Sequence, residues 1–120
     1  MKMEIKTLGP YRILRIEEEL EVISELVELQ SLIEGYIKLG IKHIAINFTE
    51  SSYIYSGAIG VLVRCYKQIK DEGGKLCIIE PKDTMVAVLK ATGITKIIKT
   101  YKSEDDLPAK EEPRAQNPFE

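Results

Sequence analysis

The chain has 120 residues, 44% hydrophobic and 30% charged, with 17 Lys and Arg against 19 Asp and Glu. That length suits one domain and allows a real core without disulfides or a structural metal. A net charge of −2 lacks the basic excess of nucleic-acid binders, and no apolar run approaches the length of a bilayer span.

Residues 3–8 read as a strand, Gly9-Pro10 as a turn, and residues 11–16 as a second strand, so the chain opens with a hairpin. The start, Met1-Lys2-Met3-Glu4-Ile5-Lys6, alternates polar and apolar residues without a signal peptide's continuous apolar stretch, so a cytoplasmic location is expected. A glutamate-rich stretch follows. Val22, Leu26, Leu29, Ile33 and Ile37 recur at helical spacing, with the glutamates on the other face. Ser24 is a candidate N-cap, and Gly40 ends the helix after Lys38.

Residues 43–48 form a short apolar run and read as a buried central strand. The polar loop Thr49-Glu50-Ser51-Ser52 leads to Tyr53-Ile54-Tyr55. Ser56-Gly57-Ala58 then opens a helix with an inner face of Ile59, Leu62, Val63, Tyr66 and Ile69, stopped by Gly73-Gly74. Residues 76–79 read as another buried strand. Pro81 and Asp83 introduce a third helix, with Met85, Val88, Leu89 and Thr92 facing inward and Gly93 as its cap. Residues 94–99 read as a short strand, and Ser103-Glu104-Asp105-Asp106 as a helix start. The alternation predicts an α/β fold, a mixed, mostly parallel sheet of four to five strands carrying helices. A folded domain is expected over 1–107. Residues 108–120, with three prolines and many charges, read as a disordered tail.

Few residues offer catalytic or metal chemistry. His43 is the single histidine, and Cys65 and Cys77 fit no Cys-x-x-Cys spacing, so no metal or cofactor is expected and both cysteines read as partly buried, reduced thiols. His43 lies roughly 15 Å away along the strand that precedes the Ser56 loop, too far to serve as its base. Ser-Gly-Ala-Ile-Gly lacks the lysine and glycine spacing of a phosphate-binding loop. No catalytic residue is expected.

The informative segment is Tyr53 to Gly60, between a buried strand and a helix, where open α/β sheets place their functional loops. Ser56 stands at the N-cap position. It either only caps the helix or also accepts a phosphate, which free backbone N–H groups and the helix dipole favour there. Gly57, Ala58 and Gly60 keep the turn slim enough for a partner's backbone to approach. Tyr53 and Tyr55 present either interface area or, for one of them, packing against the helix.

Ile54-Tyr55-Ser56-Gly57-Ala58-Ile59-Gly60-Val61-Leu62 resembles the Ile-Asp-Ser-Ser-Gly-Leu-Gly-Val-Leu pattern of the STAS domain family, of the anti-sigma factor antagonist type. The resemblance continues through Tyr66 to Lys70, Gly73-Gly74, and the stretch 89–98, and covers roughly residues 3–105. It implies a STAS-like fold and a non-enzymatic binding module. Its partners would be an anti-sigma factor that is also a serine kinase, whose phosphorylation of Ser56 blocks binding, and a serine phosphatase that restores it. It implies no nucleic acid, no membrane, and a monomer or weak dimer. Tyr55 replaces the family's aspartate, and Gly57 and Ala58 replace its second serine and glycine. Glu18-Glu19-Leu20-Glu21 stands where relatives carry a Gly-Glu-Leu-Asp-like turn, which makes Glu21 either a contact residue or part of a solvated charged face. The departures leave open a phosphorylation-independent interaction or scaffold module that binds through Tyr53 and Tyr55.

Overall fold

The structure is a computed structural model that describes residues 3–17, 23–48, 56–79 and 82–108. The opening hairpin pairs β1 (Met3–Leu8) with β2 (Tyr11–Ile16) in antiparallel register, Leu8 opposite Tyr11. Two residues close it, and Gly9 carries φ 57°, the positive φ that a type II′ turn requires at its first position. Then come α1 (Ile23–Lys38), β3 (His43–Asn47), α2 (Ser56–Asp71), β4 (Lys75–Ile79) and α3 (Asp83–Ala91). The chain closes with a short 3-10 turn, Ile94–Lys96, then β5 (Lys99–Tyr101) and a second 3-10 turn, Glu104–Asp106.

Strand order in the five-stranded sheet equals chain order, and β2 through β5 run parallel. Each crossover therefore steps in the same direction. With right-handed crossovers, α1, α2 and α3 all fall on one face. The packing bears this out. One core joins Leu14, Ile16, Ile44, Ile46, Leu76 and Ile78 of the sheet to helix residues such as Leu29, Leu62 and Leu89. The opposite face holds a second cluster, Tyr11, Ile13, Ala45, Cys77 and Ile79, covered by Leu107 and Tyr101 with no helix residue. β3 is buried along its whole length, as a strand covered on both faces must be.

The buried line of α2 is Ala58, Val61, Leu62, Cys65 and Ile69, with Ile59, Val63 and Tyr66 on its flanks. The face is thus rotated from the one the larger residues suggest, because small side chains let the helix approach the sheet. On α1, Leu29, Ile33 and Tyr36 are buried and Ile37 partly so. Val22 lies outside the described residues. Ser24 is inside the helix and not its cap. Thr92 is exposed. It ends α3, its hydroxyl donating to the Leu89 carbonyl at 3.0 Å. The expected strand over 94–99 is instead a 3-10 turn entered through Gly93 at φ 79°, and the strand begins only at Lys99. Ile94 and Ile98 are spaced i, i+4, and that helical interval sends both into the core.

Two glycines make opposite predictions. A Cβ on Gly74 would strike the Lys42 carbonyl oxygen, and would come within 2.7 Å of Lys42 Cβ and 2.9 Å of Ile69 Cγ2, because the Gly74 turn lies against the strand-entry backbone. Gly74→Ala should cost ~2 kcal/mol or more in urea unfolding. At Gly60 the nearest atom to an added Cβ is Arg64 Nη1 at 3.9 Å. Gly60→Ala should leave stability unchanged or raise it by up to ~1 kcal/mol through helix propensity.

Candidate functional site

The site is built at the carboxyl end of the parallel strands. β3 ends at Asn47, and the Phe48 N–H donates to the Ile79 carbonyl at 3.1 Å, which ties the departing chain to β4. Phe48 is itself fully buried. After the loop, α2 begins at Ser56. Ser56 is the first described residue of the helix. The first turn of α2 carries no acidic residue. Its free backbone N–H groups and the positive end of its dipole face negative charge without local opposition from its own side chains.

Gly57 is half-buried and Gly60 exposed. Ala58 is fully buried within the helix-face core. It therefore anchors α2 and leaves the set of surface contacts expected from sequence. Tyr53, Tyr55 and Glu21 lie outside the described residues, as does the tail from 109. His43 opens β3 at the opposite end from the α2 start, its ring edge-on to Tyr11 at 5.6 Å between centroids. Burial pushes both cysteine thiols up to about 11 and holds them in the unreactive form. Among the described residues no cluster of three or more His, Cys, Asp or Glu side chains could hold a metal ion, and no helix is long and apolar enough to cross a membrane.

A charged network on the same end of the sheet was not anticipated. Glu104 is buried, and its carboxylate accepts from Arg15 Nε and Nη2, each at 2.6 Å, and from Asn47 Nδ2 at 2.8 Å. Lys6 Nζ lies at 3.4 Å, and Arg15 Nη1 donates to Glu4 at 2.8 Å. The paired Arg15 contacts, backed by the Asn47 bond, hold the Glu104 carboxyl down at about 2 despite its burial. The same carboxylates raise Arg15 further above its ordinary value. The available signal was a polar residue within each of two apolar strands, Arg15 in β2 and Asn47 in β3. Both point to the face opposite the helices, where burial demands a partner.

The STAS domain family model matches residues 2–107. The chain belongs to the STAS domain family. Its fold is similar to that of a putative anti-sigma factor antagonist from Thermotoga maritima (TM-score 0.79, 23% identity, covering 87% of this chain and 89% of that one). It is also similar to Bacillus SpoIIAA in its phosphorylated form (TM-score 0.67, 18% identity, 87% and 95% covered). A third likeness is to an anti-sigma factor antagonist domain protein from Planctomyces limnophilus (TM-score 0.73, 17% identity, 87% and 92% covered). The mixed five-stranded sheet with three helices is the STAS fold.

The network makes a pH prediction with a definite sign. Folded Glu104 keeps its charge down to about 2, whereas the unfolded chain takes up that proton near the ordinary 4.5. Its contribution is fully present above 4.5 and lost as pH falls toward 2. Urea unfolding across that range should show wild-type stability falling more steeply than that of Glu104→Gln. Glu104→Ala, which leaves Arg15 and Asn47 without their acceptor, should cost about 2–4 kcal/mol at neutral pH.

Proposed function

We propose that this STAS domain is an anti-sigma factor antagonist-like switch. It binds an anti-sigma factor that is also a serine kinase, and phosphorylation of Ser56 ends that binding until a serine phosphatase removes the phosphate. The observation that carries the reading is the backbone start of α2 at Ser56, past the carboxyl end of the central strand, in a STAS frame. A similar fold has been seen both as phosphorylated SpoIIAA and as the unphosphorylated antagonist.

The physical logic is local. A phosphate on Ser56 meets unpaired N–H donors and the positive dipole end, so the helix start tolerates it. Ala58, Val61 and Leu62 hold α2 in the core on the other side, fully buried. The added double negative charge therefore changes what docks, not whether the domain folds. The contact surface is Ser56 with Gly57 and the exposed Gly60, joined by Tyr53, Tyr55 and Glu21. The module acts in the bacterial cytoplasm as a monomer or weak dimer. Residues 1–107 form its working domain.

Tyr55 in the place of the family's aspartate favours a second reading, in which binding is independent of phosphate and uses Tyr53 and Tyr55 as anchors. One set of variants separates the two. Under the switch, Ser56→Asp weakens the native kinase partner at least ~10-fold, equivalent to ~1.4 kcal/mol, while Ser56→Ala binds as wild type and takes up no phosphate from the kinase and ATP. Under the second reading, Ser56→Asp binds normally and Tyr55→Ala carries the loss. Calorimetric titration of the partner with each variant measures both.

A further inference from the structure

At the end of the sheet opposite Ser56, the β1–β2 turn and the α1–β3 loop enclose a cleft of about 380 Å³. Its lining includes Thr7, Gly9, Arg12, Gly40, Lys42 and His43, and among the described residues no Asp or Glu. We infer that this cleft is a binding site for a dianionic oxyanion, the phosphate group of a small molecule, held by Arg12 and Lys42.

Arg12 carries the inference. Its guanidinium lies over the Tyr36 ring, 5.0 Å from the centroid. An aromatic face supplies no oxygen or nitrogen acceptor, so the guanidinium N–H donors must find acceptors elsewhere. Nε is nevertheless buried without a hydrogen-bond partner. A buried charged-group donor left unpaired is rare in folded proteins and calls for an explanation. An oxyanion in the cleft supplies one. Nε itself has no accessible surface, so binding requires the guanidinium to turn and present its Nε–Nη edge, the fork that matches two phosphate oxygens. Lys42, exposed and also lining the cleft, adds the second positive charge. Two cations without a carboxylate among the lining residues match a dianion better than a monoanion, in a chain whose overall charge is −2.

The walls are already in place. The Gly40 N–H donates to Ile37 O at 3.0 Å and the Ile41 N–H to Tyr36 O at 2.9 Å, while Gly40 sits at φ 83°. That helix ending fixes the loop before Lys42. The Lys75 N–H donates to the Lys42 carbonyl at 3.0 Å, which locks the Lys42 backbone to β4. Binding would thus order side chains and little backbone, and its cost in conformational entropy is small.

The test is an NMR titration of the full chain labelled with ¹⁵N, at constant ionic strength, with inorganic phosphate, glycerol 3-phosphate and chloride. The expected result is saturable shifts at the Gly9, Gly40 and Lys42 amides and at the Arg12 Nε–H signal with the two phosphates and not with chloride. Tighter binding of the ester assigns the site to a phosphorylated small molecule, and equal binding to free phosphate. Lys42→Gln and Arg12→Lys should each raise the half-saturation concentration at least about fivefold, since each removes a charge or the fork. Lys42 is exposed, so its variant folds even if an Arg12 variant does not. Shifts that chloride reproduces, that never saturate, that map away from the cleft, or that Lys42→Gln leaves unchanged would each overturn the site.

Discussion

Sequential strand order combined with right-handed crossovers governs this molecule. Every parallel connection moves one strand onward in the same direction, so every helix lands on the same face. The helix face gains a three-helix cover and a continuous core. The other face is apolar at Tyr11, Ile13, Ala45, Cys77 and Ile79, yet receives none of the described helices. A sheet whose central strand is buried on both sides cannot leave that strip in water without losing the hydrophobic contribution of one whole face. The segment after β5 closes it, with Leu107 as the apolar plug.

Leu107 alone cannot fix where a segment of a few residues sits, because a single hydrophobic contact has little directional preference. Glu104 supplies the direction. Its carboxylate meets Arg15 of β2 through two nitrogens and Asn47 of β3 through a third, so the closing turn is docked against two neighbouring strands at once. The arrangement is weak evidence for stability as such, since burying a carboxylate and a guanidinium carries a large desolvation cost. Its worth is positional. Asn47 is also the last residue of β3, and the next residue, Phe48, is buried and bonded to Ile79. The place where the chain leaves β3 for the Ser56 loop is therefore held from the closing turn, from the core and from β4. A firmly held base lets a loop present a surface to a partner with little entropy lost on docking.

Much of this frame was legible in the residues. The hairpin, the central strand and β4 announce themselves through Gly-Pro and Gly-Gly turns and short apolar runs. The helix stops at Gly40, Gly73 and Gly93 match residues at φ 83°, 79° and 79°. The inner face of α2 was drawn through its largest apolar residues, whereas packing distance selects Ala58, Val61 and Cys65. Residues 94–99 read as a strand because apolar content hides the difference between a period of two and a spacing of four over so short a run. Glu104 was invisible for a different reason. It sits in an acidic run with Asp105 and Asp106, which are exposed, and only tertiary pairing distinguishes the buried carboxylate from its neighbours. Ser56 was legible as lying at the start of α2, because serine is favoured where a helix begins.

The two ends of the sheet differ in chemistry as well as position. The amino end gathers Arg12, Lys42 and His43 around a cleft without acidic lining residues. The carboxyl end carries Glu104 and Glu4 satisfied by Arg15. β3, which joins them through the centre of the sheet, is five buried residues with ladder partners on both sides. Such a strand has one packed arrangement, and coupling between distant sites needs an element with two. Events at the two ends should therefore be energetically independent, unless the closing turn at Glu104 itself opens. That turn is the best-placed candidate for a second state. It is short, held by one ion-pair network and one apolar side chain, and its release would free Arg15 and Asn47 at the carboxyl end of the sheet while baring the apolar face. Its opening free energy, rather than any movement of the sheet, sets how far the carboxyl end can respond to what happens elsewhere in the domain.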